Sequence, residues 1–224
     1  INTNLPTLLK TLLKNKGEYR IRLGMMNPNH FLKIKKELIK ILEDERVYKF
    51  LHLPLQSGSD KVLKKMNRKY STKDYFSCIN FIKKNIPDLT ISTDVIVGFP
   101  TETKKDFEQT ISALRKFKPL VVNISRYGKR KGTVANDFEG QISEMEKKER
   151  SREVTALLKE QMLEQNKELI GQKFTALVSD KAQKDYFVAR TNTYRPVLVP
   201  KKLGQFAEVE IIEAYSHFFT GKLL

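Results

Sequence analysis

The sequence predicts an α/β protein in two parts: a parallel βα array over the first portion and a small antiparallel β-barrel at the end, joined by a long helix. Three observations predict it. Strand-like runs alternate with helical stretches from Leu5 to Ser125. Residues 142–170 are charge-dense, carry apolar residues at helical spacing, and contain no glycine or proline until Gly171. From Phe174 onward, about five short β-rich segments separated by polar turns suit a closed barrel. The expected boundaries are 1–140, 141–170 and 171–224.

Leu5 to Leu13 repeats apolar residues at helical spacing after Asn4, and Gly17 ends that helix. Tyr19 to Met25 alternates as a strand does, with Arg20 and Arg22 on one face and Tyr19, Ile21 and Leu23 on the other. Asn27-Pro28 opens a helix ending near Asp44, because proline suits a first helical turn. A short buried strand, Phe50 to Leu55, then delivers the turn Gln56-Ser57-Gly58-Ser59 into a helical region from Asp60 to Asn85. Thr90 to Val97 is a β-branched strand closed by Gly98-Phe99-Pro100. Thr103 to Phe117 is an amphipathic helix with Phe107, Ile111 and Leu114 on one face, and Leu120 to Ser125 is a further strand. The long helix, with Val154, Leu157, Leu158, Met162 and Leu169 among its charges, reads as mostly exposed. The closing strands are expected at 174–178, 186–191, 195–199, 206–212 and 218–223.

The 224 residues carry 42 Lys+Arg against 26 Asp+Glu, a net charge of +16, which points to a polyanionic partner. A lysine-rich solubilising surface accounts for the same number. The charge is unevenly placed: +14 in 1–140, −1 in 141–170 and +3 in 171–224. One cysteine, Cys78, excludes a disulfide framework and an internal iron–sulfur site, fits a reducing cytoplasm, and sits among apolar residues as a structural thiol. His30, His52 and His217 show no metal-ligand spacing. No apolar run reaches the ~20 residues that span a bilayer, so no membrane partner is expected. Ile1 reads as the cut edge of a longer protein.

In a parallel βα array, functional residues gather at the carboxyl ends of the strands. Four such ends are readable: Arg22 with Asn27, Gln56 to Ser59, Asp94 with Gly98, and Asn123 with Arg126. The turn at 56–59 offers N–H groups and a helix N-terminus to an anion, with Gly58 allowing close approach of a ligand; an ordinary βα loop capped by Ser59 fits the same residues. Asp94, a carboxylate in a hydrophobic strand, needs a partner or a use, and Arg22 is the expected partner. Arg126, Lys129, Arg130 and Lys131 cluster beyond the last strand of the array as candidate phosphate contacts. In the terminal barrel, Arg190, Tyr194, Arg195, Lys201 and Lys202 supply cations and an aromatic ring for RNA.

Five stretches in this order resemble the radical-SAM methylthiotransferases that modify adenosine 37 of tRNA: Arg20-Ile21-Arg22-Leu23 with Asn27-Pro28, Leu51 to Asp60, Met66 to Tyr70, Ser92 to Pro100, and Tyr127 to Thr133. The tail, at Phe187 to Arg190 and Val197 to Lys201, is similar to the OB-like TRAM domain of the branch acting on threonylcarbamoyladenosine. The resemblance implies the later part of a radical-SAM barrel, without its first strands, followed by an RNA-binding domain. It implies S-adenosylmethionine and two 4Fe–4S clusters held by cysteines outside this chain, so the chain alone is expected to be inactive and to hold no catalytic residue of its own. It further implies tRNA, through its anticodon stem-loop, with an external electron donor and sulfur source as partners. On matching positions, Gln56, Ser57 and Gly98 are expected to contact S-adenosylmethionine, and Arg22 and Asp94 to orient it. Thr101 departs from the family, which usually has a second glycine there. Two other readings stand beside this one: a non-catalytic RNA-binding protein with a scaffold barrel, and a methylthiotransferase of isopentenyladenosine tRNA or of a ribosomal protein.

Overall fold

A computed structural model describes residues 3–182, 186–200 and 203–224. Helices α1 (Leu5–Leu12) and α2 (Pro28–Leu42) precede strand β1 (Phe50–His52). Helices α3 (Asp60–Lys65) and α4 (Thr72–Asn85) follow, then β2 (Thr90–Val97), α5 (Lys104–Phe117) and β3 (Val121–Arg126). The long helix α6 (Glu144–Lys167) leads to β4 (Lys173–Lys181), β5 (Phe187–Thr191), β6 (Pro196–Val199), β7 (Phe206–Ala214) and β8 (Phe219–Leu223). Among the described residues, no helix is long and apolar enough to cross a membrane.

The first part is a parallel sheet in the order β1-β2-β3. One face carries Ile91, Thr93, Val95 and Val97 against the helices, where Tyr75 donates a hydrogen bond from its hydroxyl to Leu53 O and reaches Thr93 Oγ1. By register, the other face carries Phe50 and His52, then Ser92, Asp94 and Ile96, then Val121, Asn123 and Ser125. Val121, Asn123 and Ser125 of that face are exposed.

Several sequence expectations change in detail. Tyr19 to Met25 is not a strand but an extended segment with one-residue bridges, Ile21 to Val47 and Met25 to His52, the latter alongside β1. Gly24, which lacks a side chain to pack, falls between the bridges. The ladder of β1 stops at His52, although Gln56 rejoins β2 through a bridge to Val95. The helical region after Asp60 breaks at Met66–Ser71, where Asn67 takes a left-handed φ of 57° and the Tyr70 hydroxyl donates to the buried Pro54 carbonyl. Ser71 and Asp74 then restart the chain as a capping box.

Helix α6 is not mostly exposed. Val154, Leu158 and Met162 are buried in the core of the first part, packed with the outward face of β3 and with α5. Apolar residues four apart make this stripe, and the charges between them kept it from standing out in the sequence.

The second part is a closed barrel, β4-β5-β6-β8-β7, with its own core of Val178, Val197, Val209, Ile211 and Phe219. Register shifts in β4 after Val178 and in β7 after Ile211 supply the bends that closure requires. It docks on the amino-terminal end of the parallel strands. The Lys49 N–H donates to Asn192 O, and Tyr194 packs on Tyr48 and Phe50 with ring centroids 4.8 and 5.1 Å away. The Arg22 guanidinium lies over both Phe50 and Tyr194 at 4.9 Å, and Arg190 covers Tyr194 at 4.7 Å. Arg20 covers Phe206 at 4.5 Å.

Tyr194 is the hub of this junction, and its φ of 63° is set by the β5–β6 turn. Tyr194→Ala is expected to cost about 2 kcal/mol, less than the ~3–5 of a fully buried aromatic because the ring is half-buried. Hydrogen exchange should then rise at Lys49, Phe50 and Asn192, while amides of Val178, Val197 and Val209 keep their protection because that core is separate.

Candidate active site and nucleic-acid interface

The turn after β1 is fully engaged within the protein. Its four N–H groups donate to Asp94 O from Gln56, to Leu55 O from Ser57, to Thr110 Oγ1 from Gly58 and to Ser57 Oγ from Ser59. The expected free N–H groups for an anion are therefore absent from this turn. A Cβ on Gly58 would lie 2.4 Å from Gln109 O and 2.5 Å from Thr110 Cα, so glycine here admits α5 rather than a ligand. Ser59 caps α3 as expected and also donates from Oγ to Asp106 Oδ1 at 2.7 Å. Ser57 is fully buried with its hydroxyl 3.4 Å from that of Thr110, which makes it a strut of the turn. Gln56 differs: it is buried at a φ of 66°, and its Oε1 has no partner among the described residues.

Gly98 closes β2 with a φ of 72°, and a Cβ there would lie 2.3 Å from Lys147 Cγ. It faces α6, and its N–H donates to Glu102 Oε2. Glu102 is buried and accepts from the Arg150 guanidinium. Burial pushes the Glu102 carboxyl up, against the lowering pull of the Gly98 N–H and Arg150. Thr101 takes a φ of 70° and donates from its N–H to Gly140 O, in a left-handed conformation that costs a β-branched residue ~1–3 kcal/mol and glycine almost nothing.

Asp94 does not pair with Arg22. The Met25–His52 bridge places Arg22 about 10 Å toward the amino-terminal ends of the strands, in the domain junction. Asp94 Oδ1 instead accepts from His52 Nε2 and from Asn123 Nδ2, both at 2.8 Å, on the open face of the sheet. Sequence reasoning missed His52. The signal was a polar residue inside Leu51-His52-Leu53, on the strand face that register shares with Asp94.

A cavity of about 900 Å³ opens at the carboxyl ends of β2 and β3. Ile96, Phe99, Ser125, Tyr127, Phe138, Met66 and Asn67 line it. Lys64, Lys65, Arg68, Arg126 and Arg130 also line it, and none of the described lining residues is acidic. Arg126 and Arg130 are thus brought to the mouth as expected, while Lys129 and Lys131 are exposed on the same loop. The aromatic walls were not foreseen, since Phe99 and Phe138 are far apart in sequence and meet at 6.2 Å.

The cations and aromatic ring expected to make an RNA surface on the terminal barrel are spent differently. Arg190 and Tyr194 belong to the domain junction, and Arg190 also reaches Asp180 at 3.6 Å. Arg195 is partly buried, donates to Asn166 Oδ1, and burial lowers its pKa. Lys201 and Lys202 lie outside the described residues.

The sequence profile of the Radical SAM superfamily matches residues 1–114, and that of the TRAM domain matches residues 167–224. The chain is 40% identical over 222 residues to a probable threonylcarbamoyladenosine tRNA methylthiotransferase of Archaeoglobus fulgidus, covering 98% of this chain and 51% of that protein. It is 38% identical over 227 residues to the threonylcarbamoyladenosine tRNA methylthiotransferase of Homo sapiens, covering 99% of this chain and 39% of that one. The chain spans about half the length of the archaeal relatives it matches. Among solved structures, coproporphyrinogen III oxidase from Escherichia coli, a radical SAM enzyme, shares the fold with a TM-score of 0.56 at 14% identity. That likeness covers 93% of this chain and 50% of the other.

Gly58→Ala is expected to cost about 3 kcal/mol in urea denaturation, because the new methyl group meets the backbone of α5 rather than a movable side chain. Asp106 gives a pH test. Burial pushes its carboxyl up, but hydrogen bonds from Thr103, Ser59 and Lys61 outweigh that and hold it well below the usual carboxylate range. A folded pKa below the unfolded one means stabilisation that is complete above about pH 5 and lost as the pH falls through about 4 and below. The stability difference between the native chain and Asp106→Asn should therefore shrink from about pH 6 to about pH 3.

Proposed function

Since the chain belongs to the radical SAM superfamily and ends in a TRAM domain, we propose that it is part of an enzyme that adds a methylthio group to C2 of N6-threonylcarbamoyladenosine at tRNA position 37. The observation that carries this reading is the 40% identity to a protein of that name running through both domains of the chain. The tRNA contact includes the anticodon stem-loop, and an electron donor and a sulfur source come from outside. The single cysteine, buried and free, suits the reducing cytoplasm.

The residues of the open sheet face fit S-adenosylmethionine, whose sulfonium and ammonium groups are cationic. Asp94 supplies the carboxylate, held by His52 and Asn123, and Gln56, buried beside Val95 with no partner for its Oε1 among the described residues, lies next to it just past β1. These four residues would hold the cofactor; Arg22 and Ser57 are committed elsewhere, and Gly98 shapes the loop carrying Phe99. When bound and reduced, S-adenosylmethionine supplies a deoxyadenosyl radical.

The chain's own residues do not fit a 4Fe–4S cluster. Cys78 lies on the buried face of α4, burial pushes its thiol up to about 12, and no group of three His, Cys, Asp or Glu among the described residues could hold a metal ion. What the chain contributes is orientation and charge. Asp94 compensates cationic groups on the open face, and the cation-lined mouth attracts the RNA.

The full-length gene product, reconstituted anaerobically with iron and sulfide, should convert tRNA bearing N6-threonylcarbamoyladenosine to its C2-methylthio form, detected by nucleoside mass spectrometry. The 224-residue chain treated the same way should show no stoichiometric 4Fe–4S absorption and no product. Asp94→Asn in the full-length protein should abolish product while leaving tRNA affinity within about twofold. A full-length protein that binds tRNA and modifies nothing would return the barrel to a scaffold for RNA binding.

A further inference from the structure

The strand that carries His52 has a continuous partner on one side only. β1 pairs with β2 over three residues, Phe50 to His52. On the other side, the chain from Val47 to His52 meets the segment Tyr19 to Met25 through two single bridges, Ile21 to Val47 and Met25 to His52, with no ladder between them among the described residues. Three ladder pairs on a single side give a strand few contacts that fix its position. The terminal barrel arrives in the gap between those bridges. Arg22 of the segment and Phe50 of β1 both lie against the Tyr194 ring, at 4.9 and 5.1 Å, and the Arg22 guanidinium also covers Phe50. The Lys49 N–H, just before β1, donates to Asn192 O of the same β5–β6 turn.

Tyr194 thus joins two neighbouring elements that the sheet itself leaves loosely joined. Its φ of 63° is a conformation that a bulky residue avoids and glycine takes freely, yet a ring stands there. Phe50 and His52 share one face of β1, and on that face His52 Nε2 donates to Asp94 Oδ1 at 2.8 Å. Where β1 is fixed at Phe50, the imidazole two residues on is fixed with it. We propose that Tyr194 is a positioning residue for the Asp94 face: through this ring the terminal barrel holds β1 where His52 meets Asp94. This rests on the reading of that face as the S-adenosylmethionine site. Without the ring, Phe50 and Arg22 lose their common partner, β1 loosens on its weakly paired side, and the Asp94 carboxylate loses one of its two donors.

Two variants test it. Tyr194→Gly removes the ring and suits the left-handed backbone, so the barrel stays folded, while Tyr194→Phe keeps the ring. The first readout is NMR of the imidazole nitrogens and their protons in the 224-residue chain. Of its three histidines, His30 and His217 are exposed, so the ring proton slow to exchange with water is that of His52 on Asp94. This signal should be present in the native chain and in Tyr194→Phe and be lost to exchange in Tyr194→Gly, with the amides of Val178 and Val209 still protected. The second readout is the full-length protein reconstituted with iron and sulfide. There Tyr194→Gly should raise the KM for S-adenosylmethionine about 5- to 10-fold, by more than kcat falls, and Tyr194→Phe should match the native protein. A His52 signal that persists in Tyr194→Gly would overturn the proposal and leave Tyr194 as a domain attachment alone. Loss of the signal with an unchanged KM would uphold Tyr194 as the residue that positions His52 and overturn the reading of the Asp94 face as the cofactor site.

Discussion

The buried Arg150–Glu102 ion pair sets the relation between the sheet, the long helix and the mouth. Glu102 sits one turn past the end of β2, where its carboxylate takes both the Gly98 N–H and the α6 guanidinium. Arg150 also donates to the Glu102 carbonyl, so helix and loop are joined through side chain and backbone together. Breaking a buried pair strands a charge at a cost of ~3–5 kcal/mol, which makes this contact hard to remake elsewhere. Lys147 then lies against Gly98 with its ammonium near the Tyr127 ring, and the carboxyl end of β2 is closed on that side.

From that anchor α6 runs about 24 Å, at 1.5 Å per residue, to Asn166. There Asn166 donates to Tyr215 O and Ser216 O and accepts from Arg195, tying the terminal barrel to the same helix. The aromatic junction around Tyr194 fixes the barrel a second time, on the sheet. Two attachments at separate points hold the domains as one unit. Cations that would face solvent on an isolated barrel are spent on that attachment.

The working surfaces are separated by charge. The open sheet face centres on one carboxylate between His52 and Asn123, whereas the mouth is basic and aromatic. Groups of opposite charge can each find compensation there without sharing a site. The excess positive charge of the first 140 residues thus acquires a place, a rim at the carboxyl ends of the strands.

The order of elements, the strand after strand of the parallel array, the long helix and the five-stranded barrel followed from the sequence alone, because periodicity, caps and turn residues act over a few neighbouring positions. Ser59 as a helix cap and the cluster of cations at Arg126 and Arg130 were legible for the same reason. What only the tertiary structure decided is partnership across the chain. Asp94 met His52 rather than Arg22 because register set Arg22 too low; Gly58 and Gly98 were emptied for α5 and for Lys147; Arg190 and Tyr194 went to a junction instead of a surface. A residue's type announces that a carboxylate needs a donor or that a glycine makes room, but which group arrives depends on helices from distant segments, and no local pattern encodes that distance.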